Sequence, residues 1–294
     1  MVEQTLKPTR SPLTGEITVP GDKSISHRAV MLASLAKGTT TITNFLFGED
    51  CIQTIEAFRS LGVDIDYNDS TVTIRSKGAL SLNESKTPLY FGNSGTTARL
   101  MIGILSGLPF MSVVYGDPFL TVRPMDRVVK PLRSMGALID GRENGAFLPL
   151  AIRGGNVSGI TYEMPVKSAQ VKSAILLAGL FANNETKVIE TVPTRNHTEN
   201  MLKAFGADIH MNQNEITITN KNELKASDVQ VPGDISSAAF LLVAAAIIPY
   251  STLTLKEVGL NKTRSGIIDV LHAMGANITI LNEKVKGGER FGDI

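Results

Sequence analysis

Tryptophan is absent from the 294 residues, aromatic side chains make up only 5%, and there is a single cysteine, Cys51. A lone cysteine forms no internal disulfide and leaves no C-x-x-C pair for zinc or thiol redox chemistry. The four histidines, His27, His197, His210 and His272, are scattered, with no two at metal-ligand spacing. Neither a metal nor a cofactor is expected. An excess of charge is missing too: 29 Lys plus Arg stand against 28 Asp plus Glu, a formal net charge of +1. Such a chain carries no global field to draw nucleic acid or an anionic membrane, so any anion binding has to come from a local cluster. The longest apolar run, Ala238 to Ile248, falls well short of the roughly 20 residues a spanning helix needs. The start, Met1-Val2-Glu3-Gln4, has no basic segment leading into an apolar one. The expectation is a cytoplasmic, reducing-compartment protein that does not enter membranes. What is plentiful is apolar content, 43%, enough for a core in each of two domains at this length.

Self-comparison is the most informative operation on this chain. Four segments end alike: Leu61-Gly62-Val63-Asp64-Ile65, Met135-Gly136-Ala137-Leu138-Ile139, Phe205-Gly206-Ala207-Asp208-Ile209 and Met274-Gly275-Ala276-Asn277-Ile278. The period is near 70 residues. Each ending reads as an amphipathic helix stopped by a glycine in a left-handed C-cap, followed by a short alternating strand. Each unit also opens alike, a Ser/Thr/Gly-rich loop running into an apolar helix at 24–36, 94–105, 168–182 and 236–248. These helices are apolar on every face, which predicts burial all round. Stretches such as Thr39–Thr43 and Thr252–Leu255 alternate as strands between the helices. One unit is therefore loop, buried helix, strand, outer helix, strand. The tetrapeptide Val19-Pro20-Gly21-Asp22 returns as Val231-Pro232-Gly233-Asp234, and each copy suits a hinge between domains. This places a complete domain of three units at 21–232, with 1–20 and 233–294 forming part of a second that holds one unit of three. The unit count implies the N-terminal portion of something longer.

Chemistry concentrates at the unit openings. In Gly21-Asp22-Lys23-Ser24-Ile25-Ser26-His27-Arg28, backbone N–H groups at a helix start and serine hydroxyls suit a phosphate ester, and Arg28 lies one turn beyond Ser24. The bland alternative is an N-cap serine beside a solvated lysine. Gly92-Asn93-Ser94-Gly95-Thr96-Thr97-Ala98-Arg99 lets a ligand approach the backbone closely, though a capped helix start explains it equally. Arg123 precedes Pro124, which holds its backbone. Lys167-Ser168-Ala169-Gln170 and Thr194-Arg195-Asn196-His197 add weaker candidates, His197 reading as a hydrogen-bonded loop histidine rather than a base. Lys23, Ser94 and Ser168 fall in corresponding loops, and corresponding loops of packed repeats share a face. Lys23, Arg28, Arg123 and Arg195 are thus expected to converge on a multiply negative substrate pair.

These motifs resemble the 3-phosphoshikimate 1-carboxyvinyltransferase (EPSP synthase) family, through P-G-D-K-S-I-S-H-R at 20–28, G-N-S-G-T-T-A-R at 92–99, R-P-M at 123–125, K-S-A-Q at 167–170 and T-R-N-H-T-E at 194–199. The resemblance implies an α/β fold of repeated units in two pseudo-threefold domains, an inside-out α/β barrel arrangement, with the second domain incomplete here. It implies transfer of the enolpyruvyl group of phosphoenolpyruvate to the 5-hydroxyl of 3-phosphoshikimate, by a monomer without cofactor. By resemblance, Lys23, Ser24, Arg28, Ser168, Gln170, Thr194 and Arg195 hold shikimate 3-phosphate. Lys23, Asn93, Gly95, Arg123 and Gln170 take phosphoenolpyruvate, with Lys23 and Arg123 acting in catalysis. Family groups from later units of the second domain are absent from this sequence, so little turnover is expected of the chain alone. Two alternatives are a sister enolpyruvyl transfer to UDP-N-acetylglucosamine, which often uses a loop cysteine that the stretch 115–122 lacks, and a repeat module that only binds.

Overall fold

The computed structural model describes residues 11–294, so the Met1–Gln4 start and the first ten residues of the 1–20 segment lie outside the described residues. Strand β1 (Thr14–Thr18) precedes the first unit, which runs α1 (Lys23–Leu35), β2 (Lys37–Thr43), α2 (Glu49–Ser60), β3 (Asp64–Tyr67) and β4 (Thr71–Lys77). The second comprises β5 (Leu89–Tyr90), α3 (Gly95–Gly107), β6 (Met111–Tyr115), α4 (Asp126–Ser134), β7 (Leu138–Gly141), a helical turn α5 (Arg142–Gly145) and β8 (Leu150–Arg153). The third comprises β9 (Thr161–Met164), α6 (Ala169–Gly179), β10 (Thr186–Glu190), α7 (His197–Ala204), β11 (Asp208–Asn212) and β12 (Glu215–Thr219). After β13 (Val229–Gln230) come α8 (Ile235–Ile247), β14 (Thr252–Lys256), β15 (Val258–Gly259), α9 (Gly266–Ala273), β16 (Leu281–Lys286) and β17 (Glu289–Asp293).

The repeat is richer than the sequence pattern suggests. The outer helix is followed by an antiparallel hairpin rather than one strand, and a short strand precedes the buried helix. The repeated Gly62, Gly136, Gly206 and Gly275 all take positive φ, between 83° and 101°, where a Cβ would be strained. Each lets the chain leave its outer helix and turn back. In the fourth unit the residues after Gly275 form no strand until Leu281.

Three sheets share one strand order: β13-β2-β4-β3, β5-β6-β8-β7 and β9-β10-β12-β11. The first strand of each runs parallel to its neighbour and the other pairs are antiparallel. In the second and third units that leading strand belongs to the same unit. In the first it is β13, contributed from beyond the third, whereas β1 pairs with β14 of the fourth unit. The chain therefore crosses over twice, once after β1 and once after β13, and each crossing passes through a copy of Val-Pro-Gly-Asp.

The helices α1, α3 and α6 are the buried helices of the three units. Asp22, Ser94 and Ser168 cap them by accepting from Ile25, Thr97 and Val171 N–H, which satisfies donors that would otherwise be orphaned at buried helix starts. Neither Ser24 nor Ser26 is the first cap, so Lys23 corresponds to Gly95 and Ala169, one residue on from Ser94 and Ser168. The helices pack closely because glycines remove side chains at the contact: a Cβ on Gly103 would sit 2.8 Å from Ala174 Cα. Buried apolar residues form one cluster from Ile25 to Val231 and a second containing Val19, Ile235, Leu255, Leu271 and Ile294. No helix among the described residues is long and apolar enough to cross a membrane.

The expectation that all four apolar helices are buried is corrected for α8. Only Ile235, Ala238 and Leu242 of its residues are buried, while Phe240 is 80% and Ile247 72% exposed. Its neighbours among the described residues include α9, β14 and β15.

Candidate active site

The starts of α1 and α6, the segment 193–197 and the segment 262–264 surround a cavity of about 1000 Å³. Lys23, Ser24, Arg28, Ser168, Gln170, Thr194 and Arg195 all line it. It is lined by the cations Lys23, Arg28, Lys167, Arg195, Lys262 and Arg264 and, among the described residues, by no carboxylate. In a chain with a net charge of +1, this is a strong local concentration of positive charge, placed at helix N-termini that favour anions by themselves.

Arg28 forms the floor. Its Nε donates to Thr198 Oγ1 at 2.7 Å, Nη1 to the Ser24 carbonyl at 2.9 Å and Nη2 to Ser173 Oγ at 2.9 Å. Three of the five N–H groups a guanidinium offers are therefore committed, which fixes the direction of the other two. Burial pushes its pKa down to about 10, against the opposing pull of Glu199 and Asp22, so it is charged at neutral pH. Lys23 stands half-exposed at the rim, ion-paired with Asp50 of α2.

Thr194 is buried and its hydroxyl donates to Glu190 Oε1 at 2.6 Å, while its N–H donates to the same oxygen at 3.0 Å. With its one proton committed, this hydroxyl offers an anion no donor in this arrangement. Arg195 beside it is exposed and makes no hydrogen bond or ion pair with the other described residues. Beneath them, fully buried Lys172 pairs with Glu190 at 2.9 Å and Glu199 at 2.6 Å. Burial raises the Glu199 pKa even so. His197 opens α7 rather than sitting in a loop, its Nδ1 2.9 Å from Glu289 Oε1 with both side chains buried.

Arg123, Asn93 and Gly95 do not line this cavity. Arg123 is exposed, with Nη2 donating to Asn93 Oδ1 at 2.5 Å. The connection to the cavity runs through Arg99, one helical turn beyond Gly95, whose Nη1 donates to Gln170 Oε1 at 3.0 Å and whose Nη2 donates to Pro124 O at 3.0 Å. Gln170 Nε2 in turn donates to Thr96 Oγ1 at 3.1 Å. A Cβ on Gly95 would lie 2.7 Å from Arg99 Nη1 and 3.5 Å from Arg123 Nη1. Two half-sites result, one around Arg28 and one around Arg99 and Arg123, sharing Gln170. The Arg99 pKa is lowered by burial and by the like charges of Arg123 and Arg127. An entering carboxylate or phosphate would relieve that repulsion.

Sequence alone does not single out Arg99, Lys167, Lys262 or Arg264. Arg99 and Lys167 lie within the segments 92–99 and 167–170, and the i, i+4 spacing from Gly95 is the signal that points to Arg99. Lys262 and Arg264 carried no such signal, since only the fold brings the fourth unit against the first. Cys51 takes no part: it is buried, and burial pushes its thiol up to about 12, far from a thiolate nucleophile.

Fold and cleft together define a class, the α/β repeat proteins that gather helix N-termini and cations around one cleft. A family model described as EPSP synthase (3-phosphoshikimate 1-carboxyvinyltransferase) matches residues 7–290. The chain is 58% identical to the 3-phosphoshikimate 1-carboxyvinyltransferase of Oceanobacillus iheyensis, over 98% of this chain and 67% of that protein. It is 54% identical to that of Bacillus pumilus, over 97% of this chain and 66% of that protein. The solved EPSP synthase from Acinetobacter baumannii superposes with a TM-score of 0.94 at 48% identity, covering 97% of this chain and 65% of that one. The chain belongs to the EPSP synthase family, and it spans about two thirds of the length of these relatives.

Proposed function

We propose that this chain forms the substrate cleft of an enzyme that transfers the enolpyruvyl group of phosphoenolpyruvate to the 5-hydroxyl of 3-phosphoshikimate. The observation that carries this is the pair of cationic half-sites joined by Gln170, because the reaction brings two anions together. Mutual repulsion of the substrates is offset by fixed cations in a partly dry site, where electrostatic stabilisation and positioning supply most of the barrier reduction. In the reaction the methylene carbon of phosphoenolpyruvate is protonated to a methyl group and the 5-hydroxyl oxygen adds to the neighbouring carbon with loss of its proton; the tetrahedral intermediate then gives up a methyl proton as its C–O bond to phosphate breaks, which restores the carbon–carbon double bond and releases inorganic phosphate. Ser24, Arg28, Ser168 and Arg195 are assigned to shikimate 3-phosphate and Asn93, Gly95 and Arg123 to phosphoenolpyruvate, with Lys23 and Gln170 between them. Thr194 acts through its bond to Glu190, by shaping the Arg195 segment. The reading includes a complete domain at 21–232, a second domain to which 1–20 and 233–294 contribute, and a cytoplasmic monomer.

Calorimetry with shikimate 3-phosphate tests it. One saturable site is expected for the 294-residue chain, with Arg28→Ala abolishing the heat. Absence of saturable binding in the unaltered chain would sink the reading in favour of a repeat module with capped helices alone. A coupled phosphate-release assay reads turnover separately. The nucleotide-sugar alternative is disfavoured because the lone thiol, Cys51, is buried and stays protonated.

A further inference from the structure

The two Val-Pro-Gly-Asp segments cross one another with reciprocal bonds. Asp22 N–H donates to Pro232 O at 2.8 Å, and Asp234 N–H donates to Pro20 O at 2.9 Å. Gly21 and Gly233 form an antiparallel bridge at the centre. Asp22 caps α1 and Asp234 caps α8, so the crossing brings two capping carboxylates together at the meeting of the two cores. Arg264 lies between them. Its Nη1 is 3.2 Å from Asp22 Oδ2, and its Nη2 is 3.1 Å from Asp234 Oδ1 and 2.7 Å from Ser236 Oγ. The side chain is 13% exposed and lines the cavity. The loop that carries it is fixed in turn: Arg264 N–H donates to Asn261 O at 2.8 Å, and Asn261 Nδ2 donates to Asn196 Oδ1 at 2.9 Å. One short segment of the fourth unit thus touches the head of α1 and the residue following Arg195.

We propose that Arg264 is a positioning residue that pins the two crossings by bridging the carboxylates capping α1 and α8, and so sets the register of Lys23 and Ser24 against the far wall of the cleft. The proposal rests on the reading that the cleft binds shikimate 3-phosphate. A guanidinium serves because its planar fork reaches two acceptors at once, which a lysine point charge does not. Without it, two poorly solvated carboxylates face each other.

The test uses the full chain as wild type, Arg264→Met, Arg264→Lys and Arg264→Met combined with Asp234→Asn. Two quantities are read: shikimate 3-phosphate affinity, and amide hydrogen exchange at Asp22 and Asp234, whose N–H groups make the reciprocal bonds. Arg264→Met and Arg264→Lys are expected to weaken binding by on the order of tenfold. Both should speed exchange at these two amides and leave exchange in α3 unchanged. Adding Asp234→Asn removes one of the facing charges and should restore both quantities in part. The proposal is overturned if Arg264→Met matches wild type, if exchange rises equally in α3, or if Asp234→Asn brings no recovery. Should Arg264→Met fail to fold, Arg264→Lys carries the same comparison. If the wild type itself binds no shikimate 3-phosphate, the functional reading falls, while the exchange measurement still decides the pin.

Discussion

His27 belongs to the motif that announces the site, yet it faces away from the cavity and into the core. Its Nδ1 lies 2.7 Å from Thr54 Oγ1, which is 2.8 Å from Thr97 Oγ1, so it links the first and second unit openings through fully buried hydroxyls. Burial pushes its pKa from 6.5 to about 3, with Asp50 opposing and Lys23 and Arg28 reinforcing the shift. Between those values the unfolded chain binds the proton and the folded one does not, so this contribution is complete above pH 6.5 and is lost as pH falls toward 3. Denaturant melts should show a loss of about 2 kcal/mol from this group between about pH 7 and about pH 5. His27→Asn should flatten that slope, and an unchanged slope would refute the assignment. Gly95→Ala is a second prediction at this scale. The added methyl pushes on the far end of Arg99, so phosphoenolpyruvate affinity in the presence of shikimate 3-phosphate should fall by roughly tenfold, with binding of shikimate 3-phosphate alone nearly unchanged. Titrating each ligand separately checks it. Most residues of the Arg28 half-site were legible as motif members, whereas the commitment of Thr194 to Glu190 was not. Glu190 ends a strand with nothing in its sequence context to pair it with a hydroxyl.

Among the secondary-structure elements, the contact of α3 with α6 leaves no room for a side chain at Gly103. Gly103→Ala places a methyl against the Ala174 backbone, including its carbonyl oxygen, where no flexible side chain can yield. A loss of about 1–3 kcal/mol is expected from such overpacking, read as a lower denaturation midpoint with an unchanged slope. The helix α8 has the same apolar composition but a different fate, leaving Phe240, Ile247 and, nearby, Tyr250 exposed. Replacing Phe240 and Ile247 by serine should raise the solubility of this chain while changing stability by less than about 1 kcal/mol. Light scattering against concentration measures the first and thermal melting the second. Unchanged scattering would show that this face is not the one that associates. The contrast between α1 and α8 also shows why periodicity alone could not predict burial. An all-apolar helix requires partners on all sides, and whether they are present depends on the rest of the fold.

For the molecule as a whole, near-neutrality and a cationic cleft together make a prediction about salt. Because the net charge is +1, long-range steering is weak and ligand attraction comes from the cluster lining the cavity. Raising salt from about 0.05 M to about 0.5 M should therefore weaken shikimate 3-phosphate binding roughly tenfold while shifting thermal stability little. A binding constant indifferent to salt would mean that hydroxyl contacts rather than charges dominate. The period near 70 residues, the left-handed glycine stops, the α/β class and the family were determined by the sequence itself, because they rest on local conformational preference and on spacing along the chain. What only the tertiary structure decided is the exchange of β1 and β13 between units, the exposure of α8 and the arrival of Arg264 at the head of α1. Each depends on residues at least 187 positions apart meeting, or on a neighbour being present. Those contacts are stabilised only once the whole chain has closed, so no local stretch of residues encodes them.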